Sequence, residues 1–408
     1  MPHPDTDRVL VVIAIGNPAY RAYCLESVAR RHPVALIDAA APTWQLEHLR
    51  DHEVADPHDL DALRAAVARL AARHEIAGVL TWDEYCLVPA ATVAADLHLP
   101  GPGAATAAAC RDKSAARAVW AADGVPSALS IHTASLTEAT AAARRIGFPV
   151  VLKPTSHAGS IGVVKAETAE ELAAAFAYAD QAAQDGGVLV EEYLPGPEIS
   201  VECVTVHGIT TPVAVTHKQL GPEPRFDEIG HTVTAEDPLL DRVGPVAAAA
   251  LAALGVTRGI SHVEMRLTPT GPRLIEANGR LGGDLIGHLV NLATGIDLPA
   301  VAADLALGRP VDLTPTRRAT AGVRFISPHS SGTVHHAQAR PELGTPAWLE
   351  RLRWERGPGQ QILLPADGGT LHTSRLAHLV ATGTTTAEVD ERLNHAAALL
   401  DIRLSPTG

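Results

Sequence analysis

The chain has 408 residues, a formal net charge of −13, 46% hydrophobic residues and 3% aromatic ones. That length exceeds one ordinary core and points to two or three lobes, and the acidic balance without any basic run excludes nucleic acid and anionic membrane as main partners. Cys24, Cys86, Cys110 and Cys203 are isolated, which argues against zinc or redox work, and neither a signal peptide nor a membrane-length apolar run is present, so a soluble cytoplasmic protein is expected.

The first hundred residues alternate strand and helix. Val9 to Ile15 reads as a buried strand ending in Gly16-Asn17-Pro18, and a helix follows to about Arg31. A second strand covers Val34 to Ile37 and ends on Asp38; a helix spans roughly Asp59 to His74, and Gly78 to Trp82 is a further strand. This βαβ order implies a parallel sheet. Asp38 invites a dinucleotide reading, but Gly16-Asn17-Pro18-Ala19-Tyr20-Arg21 lacks the second and third glycines that let backbone approach a pyrophosphate. A structural Rossmann-like lobe is expected over 1–103.

Leu99-Pro100-Gly101-Pro102-Gly103 marks a boundary, and one helix is predicted from Ala104 to Ala122. Phe148 to Pro154 is a strand that delivers Lys153 at its end, into the small, hydroxylated loop Thr155-Ser156-His157-Ala158-Gly159-Ser160-Ile161-Gly162. Such a strand and loop can fold over phosphates with backbone N–H groups, hydroxyls and one lysine charge, and it is not a Walker A sequence. Two alternating strands then meet at Leu194-Pro195-Gly196-Pro197, with Glu191, Glu192 and Tyr193 before the break and Glu198 after it. A chain turning there can offer backbone groups to a base and a carboxylate to ribose hydroxyls.

The densest signal lies further on. Ile260 to Leu267 and Arg273 to Asn278 read as strands joined by Thr268-Pro269-Thr270-Gly271-Pro272, a hairpin that sets Glu264 beside Glu276, with Asn278 on the same face. Two carboxylates and an amide oxygen form a hard-oxygen set suited to Mg²⁺, and Arg280 projects to the same side to meet an oxyanion. From Pro310 the composition changes, Thr314 to Arg318 resembles a linker, and the tail carries short strands and a final helix from Thr386 to Leu400. The histidines at 329, 335 and 336 lack ligand spacing and read as exposed.

In this order the motifs resemble the ATP-grasp superfamily: Arg111-Asp112-Lys113, the Lys153 strand and its loop, Glu191-Glu192-Tyr193-Leu194 with Glu198, and Glu264 with Glu276-Ala277-Asn278-Gly279-Arg280. The resemblance implies an α/β (α+β) ATP-grasp fold with an N-terminal Rossmann-like lobe, an ATP-grasp domain over 104–310 with a lid subdomain at about 126–190, and a C-terminal β-rich lobe over 311–408. It further implies that Lys113 and Lys153 contact ATP phosphates under a loop including Ser156, Ser160 and Ile161. In the same reading Glu191 to Leu194 form the adenine hinge, Glu198 holds the ribose, and Glu264, Glu276 and Asn278 carry two Mg²⁺ ions, for which Mn²⁺ can substitute.

Between hinge and hairpin, Lys218 is followed by a proline-bearing loop and then Glu228-Ile229-Gly230-His231, which looks like the dipeptide-forming L-amino acid ligases. That resemblance implies an ATP-dependent carboxylate–amine ligase working through an acyl phosphate. Glu228, His231, Arg280, Gly283 and Asp284 would line the amino-acid pocket. Lys153 and Arg280 would serve the chemistry, and His231 is a candidate base by residue type alone. An acidic Asp284 suits a polar or cationic substrate, or else acts as an early-helix residue favoured by the macrodipole. The alternatives are a biotin-carboxylase-like or nucleotide-precursor ligase acting on another small acid, and a non-catalytic ATP-binding protein. Small-molecule substrates are the expected partners, and a homodimer is an assembly the sequence leaves open.

Overall fold

The computed structural model describes residues 8–157, 159–183 and 187–405. Near the N-terminus, β1 (Arg8–Ile13), β2 (Val34–Asp38), β3 (Asp51–Val54) and β4 (Glu75–Thr81) form a parallel sheet in the order β3-β2-β1-β4. The helices α1 (Pro18–Ala29), α2 (Leu60–Ala71) and α3 (Leu87–Asp96) provide its crossovers and flanks. The short edge strand β3 escapes the sequence reading because Asp51-His52-Glu53 carries no apolar alternation.

The predicted single helix over 104–122 is two helices, α4 (Ala104–Arg111) and α5 (Lys113–Ala122). Asp112 takes extended backbone between them, and its side chain accepts from the amides of Ser114 and Ala115. This N-cap competes successfully with helix continuation and places Lys113 at the first position of α5.

A small antiparallel sheet follows, ordered β5-β8-β6-β7, from β5 (Ser130–Thr133), β6 (Val150–Pro154), β7 (Val164–Ala166) and β8 (Val188–Glu192). The helices α6 (Leu136–Ile146) and α7 (Leu172–Ala182) pack on it through alanines and Phe176.

The central feature is an eight-stranded sheet built from β9 (Glu198–Val206), β10 (Ile209–Leu220), β11 (Glu228–Thr234), β12 (Gly259–Thr268), β13 (Gly271–Asn278), β14 (Thr320–Ile326), β16 (Leu349–Trp354) and β18 (Ala377–Gly383). Its order is β13-β12-β9-β10-β11-β14-β18-β16. Three strands from beyond residue 310 therefore extend the same sheet, through β14 paired with β11. A three-stranded sheet places β15 (Gly332–Ala339) between β17 (Gln361–Ile362) and β19 (Leu400–Ser405). The remaining helices are α8 (Leu240–Ala253), α9 (Ile286–Thr294), α10 (Leu298–Ala306), the short α11 (Leu371–Ser374) and α12 (Thr386–Ala398). Among the described residues no single helix is long and apolar enough to cross a membrane.

Period-two alternation gives the central sheet two unlike faces. Ile199, Val201, Cys203, Val215, Val263, Met265 and Ala277 join the core shared with Trp120 and α8. The intervening positions are Glu198, Ser200, Glu202, Thr216, Lys218, His262, Glu264, Glu276 and Asn278. That polar face is the floor of the site described next.

Candidate active site

A cavity of about 470 Å³ opens over the polar floor, roofed by the small sheet and its loop and closed at one end by residues of α1 and by Leu371 and His372. The hairpin β12–β13 turns through two residues, and its register sets Glu264 directly opposite Glu276, and His262 opposite Asn278. The two carboxylates thus stand on neighbouring strands in the cavity wall.

Lys153 lies at the end of β6, buried, with Nζ 2.6 Å from Glu191 Oε2. The other Glu191 oxygen accepts from Arg117 at 2.8 Å. Burial opposes the charge on Glu191, but Arg117 and Lys153 outweigh it and leave that carboxyl below the usual range. For Lys153 burial wins, and its ammonium is held below the usual lysine range despite Glu191. Glu191 lines the cavity, and its carboxylate holds Lys153 there.

Lys113 Nζ is 3.0 Å from Glu276 Oε1 and donates to the His157 carbonyl at 2.6 Å. The helix break at Asp112 thereby ties the hairpin to the loop after β6. In that loop Gly159, Ser160 and Gly162 all take positive φ; a Cβ at Gly162 would approach Ala182 Cβ to 2.6 Å, so both backbone and space require glycine there. Ser160 and Ile161 reach the cavity wall, whereas Ser156 does not: its carbonyl accepts from Arg111. Ala158 lies outside the described residues.

At the other end of the roof, Glu192, Tyr193 and Leu194 line the cavity. Glu192 accepts from the Leu129 amide and meets Arg273 at 2.6 Å, and the Tyr193 hydroxyl donates to Glu223. Glu198 faces Arg266 at 3.1 Å and Lys218 at 3.5 Å; burial holds its carboxyl above the usual range.

Lys218 is the hub that motif reading left without a role. Its side chain is 1% exposed, and its ammonium stands 2.7 Å from Glu228 and 2.8 Å from Glu264 as well as near Glu198. Burial works against its charge, yet the three carboxylates hold it well above the usual lysine range. In turn Lys218 and His231 bring Glu228 down to about 2 against its burial. Period-two spacing on β10 was the available signal, since it sets Lys218 on the face shared with Glu198 and Glu264.

Glu264 and Glu276 fit a hard cation. Both are cavity-wall carboxylates, and their closest contacts, with Lys218, His262 and Lys113, all use Oε1. Asn278 fits less directly: it is 2% exposed, outside the cavity wall, and with its amide nitrogen donating it reaches Glu84 at 3.1 Å and Glu276 at 3.0 Å. Its amide group thus stands beside the Glu84 and Glu276 carboxylates.

The expected amino-acid pocket needs two corrections. His231 is fully buried behind Glu228, 3.1 Å from its Oε2, and does not reach the cavity, so residue type misled the candidate-base reading. Asp284 does line the cavity, but both its oxygens accept from Arg375, each at 2.7 Å. Arg375 is wholly buried, lies 3.5 Å over the Phe325 ring and also donates to the Glu228 carbonyl. The charge that suggested a cationic substrate is neutralised from within. Asp284 and Leu285 have positive φ and α9 starts only at Ile286, so Asp284 is not an early-helix residue either. Arg280 lines the cavity with Nε 2.5 Å from Glu84, and Gly283 lines it too.

A cavity that sets buried lysines against paired carboxylates, beneath a glycine-bearing loop, has the makings of a nucleotide-dependent ligase. Residues 146–288 match the ATP-grasp domain model. Over 98% of its length the chain is 30% identical to the uncharacterized protein y4rH of Sinorhizobium fredii, covering 84% of that protein. It is 27% identical to the alanine–anticapsin ligase of Bacillus subtilis over 60% of this chain and 57% of that one. Its fold matches the crystal structure of an L-amino acid ligase from Bacillus licheniformis with a TM-score of 0.83, at 21% identity, covering 98% of this chain and 99% of the other. The chain belongs to the ATP-grasp superfamily and is similar to the L-amino acid ligases.

Proposed function

We propose that the protein joins an L-amino acid to the amine of a second amino acid or another amine, through an acyl phosphate, with release of ADP and phosphate. The observation that carries this reading is the convergence in one cavity of Lys113 and Lys153, the Glu264/Glu276 pair, Arg280 and Glu228.

A carboxylate is a poor acyl donor until its oxygen bears a phosphoryl group. Phosphoryl transfer asks a protein chiefly for positioning and charge neutralisation. Lys153, fixed by Glu191, and Lys113, fixed by Glu276, stand ready for the phosphates, with Ser160 and Ile161 above them. Glu264 and Glu276 would hold Mg²⁺, which neutralises phosphate charge when bound. Arg280 would hold the reacting carboxylate, whose oxygen attacks the terminal phosphorus as the bond to ADP breaks. The amine then attacks the carbonyl carbon, phosphate departs with the former carboxylate oxygen, and the amine loses a proton. Glu228 is the acidic group toward which the α-ammonium of the first amino acid would turn, and Lys218 and His231 keep it ionised.

The test is a phosphate-release screen over amino-acid pairs with Mg²⁺, joined to mass spectrometry of products and chromatography of nucleotides. The expected result is an amide product with stoichiometric ADP; AMP as the stoichiometric nucleotide contradicts the acyl-phosphate route.

A further inference from the structure

Among the described residues, five lysine and arginine side chains line the cavity: Arg21, Lys113, Lys153, Arg266 and Arg280. Four of them face a carboxylate: Lys113 meets Glu276, Lys153 meets Glu191, Arg266 meets Glu198 and Arg280 meets Glu84. Arg21 has no ion pair among the described residues. Its guanidinium donates to the carbonyls of Gly282 at 3.3 Å and Trp82 at 3.5 Å, both long for a charged donor, and also neighbours the Cys24 side chain. The nearby thiol of Cys24 supplies no negative charge, because burial pushes it up to about 11. A partly buried guanidinium on the wall of a ligand cavity, with uncharged partners and no carboxylate, is suited to an anion supplied by the ligand.

The site rests on this side chain and not on the helix end beside it. Asn17 caps α1, taking the Ala19 amide on its side chain and the Tyr20 and Arg21 amides on its carbonyl. The helix N-terminus therefore contributes positive potential, with no acidic residue in its first turn to cancel it.

Position separates Arg21 from the phosphoryl-transfer groups. Arg280 is paired with Glu84 and lies within the field of Glu276 and Glu264. Arg21 meets the same turn two residues later, at Gly282, from the α1 side. We infer that Arg21 binds the carboxylate of the amine donor, so that the donor is an amino acid or another amine carrying an anionic group, and not a simple amine. This rests on the ligase reading above and specifies its second substrate.

The experiment compares glycine, L-alanine and L-phenylalanine with glycinamide, L-alaninamide and L-phenylalaninamide as donors, each paired with the twenty L-amino acids as acids. Wild-type enzyme is expected to favour the free amino-acid donors by about ten- to a hundredfold in kcat/KM, the usual scale of a charge-assisted hydrogen bond. Arg21→Met should narrow that gap by raising KM for the free donor, with KM for ATP little changed. Arg21→Lys should restore part of it, since it keeps the charge and loses the planar fork. A wild type that uses carboxamides as well as free donors overturns the inference. So does a variant that loses both donor series equally, which marks Arg21 as structural, or one that raises KM for the acid substrate instead. Absence of ligation with every donor removes the ligase reading and this inference with it.

Discussion

The two ends of the cavity are built differently. At the phosphate end, Lys153, Glu191, Glu264 and Glu276 all come from strands within residues 146–288; Lys153 and Glu191 hold each other, Glu264 is held by Lys218 of the same region, and Glu276 alone meets a residue from outside it, Lys113. At the amino-acid end, the groups are completed from far along the chain: Glu84 reaches Arg280 across 196 residues, and Arg375 reaches Asp284 across 91. Local motifs can specify the first kind of site because strand and loop geometry fixes it. The second kind depends on how separate segments dock, and its charges can be cancelled by partners no motif contains.

That contrast can be broken most severely at Glu276. Glu276→Ala should lower turnover by about a thousandfold or more, because it removes one of the two carboxylates suited to Mg²⁺ and frees Lys113. Mg²⁺-dependent phosphate release alongside circular dichroism checks that the loss is not unfolding. Arg375→Met probes the other end through stability. It leaves the Asp284 carboxylate buried without its guanidinium, a loss of about 3–5 kcal/mol, and Asp284→Asn in the same chain should recover much of it. Urea unfolding of the single and double variants measures this; an unchanged midpoint in Arg375→Met would show that the pair does not hold the pocket.

Lys153→Ala should reduce kcat about a hundredfold while stability falls less, since Glu191 keeps Arg117. A folded variant with near-normal rate makes this lysine structural. The smallest effect is expected for Glu228→Ala, with KM for the first amino acid raised about tenfold and KM for ATP little changed. Equal use of the des-amino acid by the wild type would sink that role for Glu228.

Much of the phosphate end was legible in the sequence. The Glu264–Glu276 pairing follows from strand periodicity and a short turn, and Lys153 from its position at a strand end. The break between α4 and α5 was missed, although Asp112 carries the cap that makes it, because alanine-rich sequence on both sides favours one helix. Lys218 was visible only as part of a motif; its three carboxylates come together through strand register. His231 and Asp284 were misread for one physical reason. Residue type reports what a side chain can do, while exposure and partners decide whether it is free to do it.

The central claim is that a substrate carboxylate is activated by phosphorylation. The direct measurement is ligation with an amino acid labelled with ¹⁸O in its carboxylate, followed by mass spectrometry of the released phosphate. Transfer of ¹⁸O into inorganic phosphate, stoichiometric with amide formed, is the predicted result; phosphate free of label, or label appearing in AMP, would contradict it.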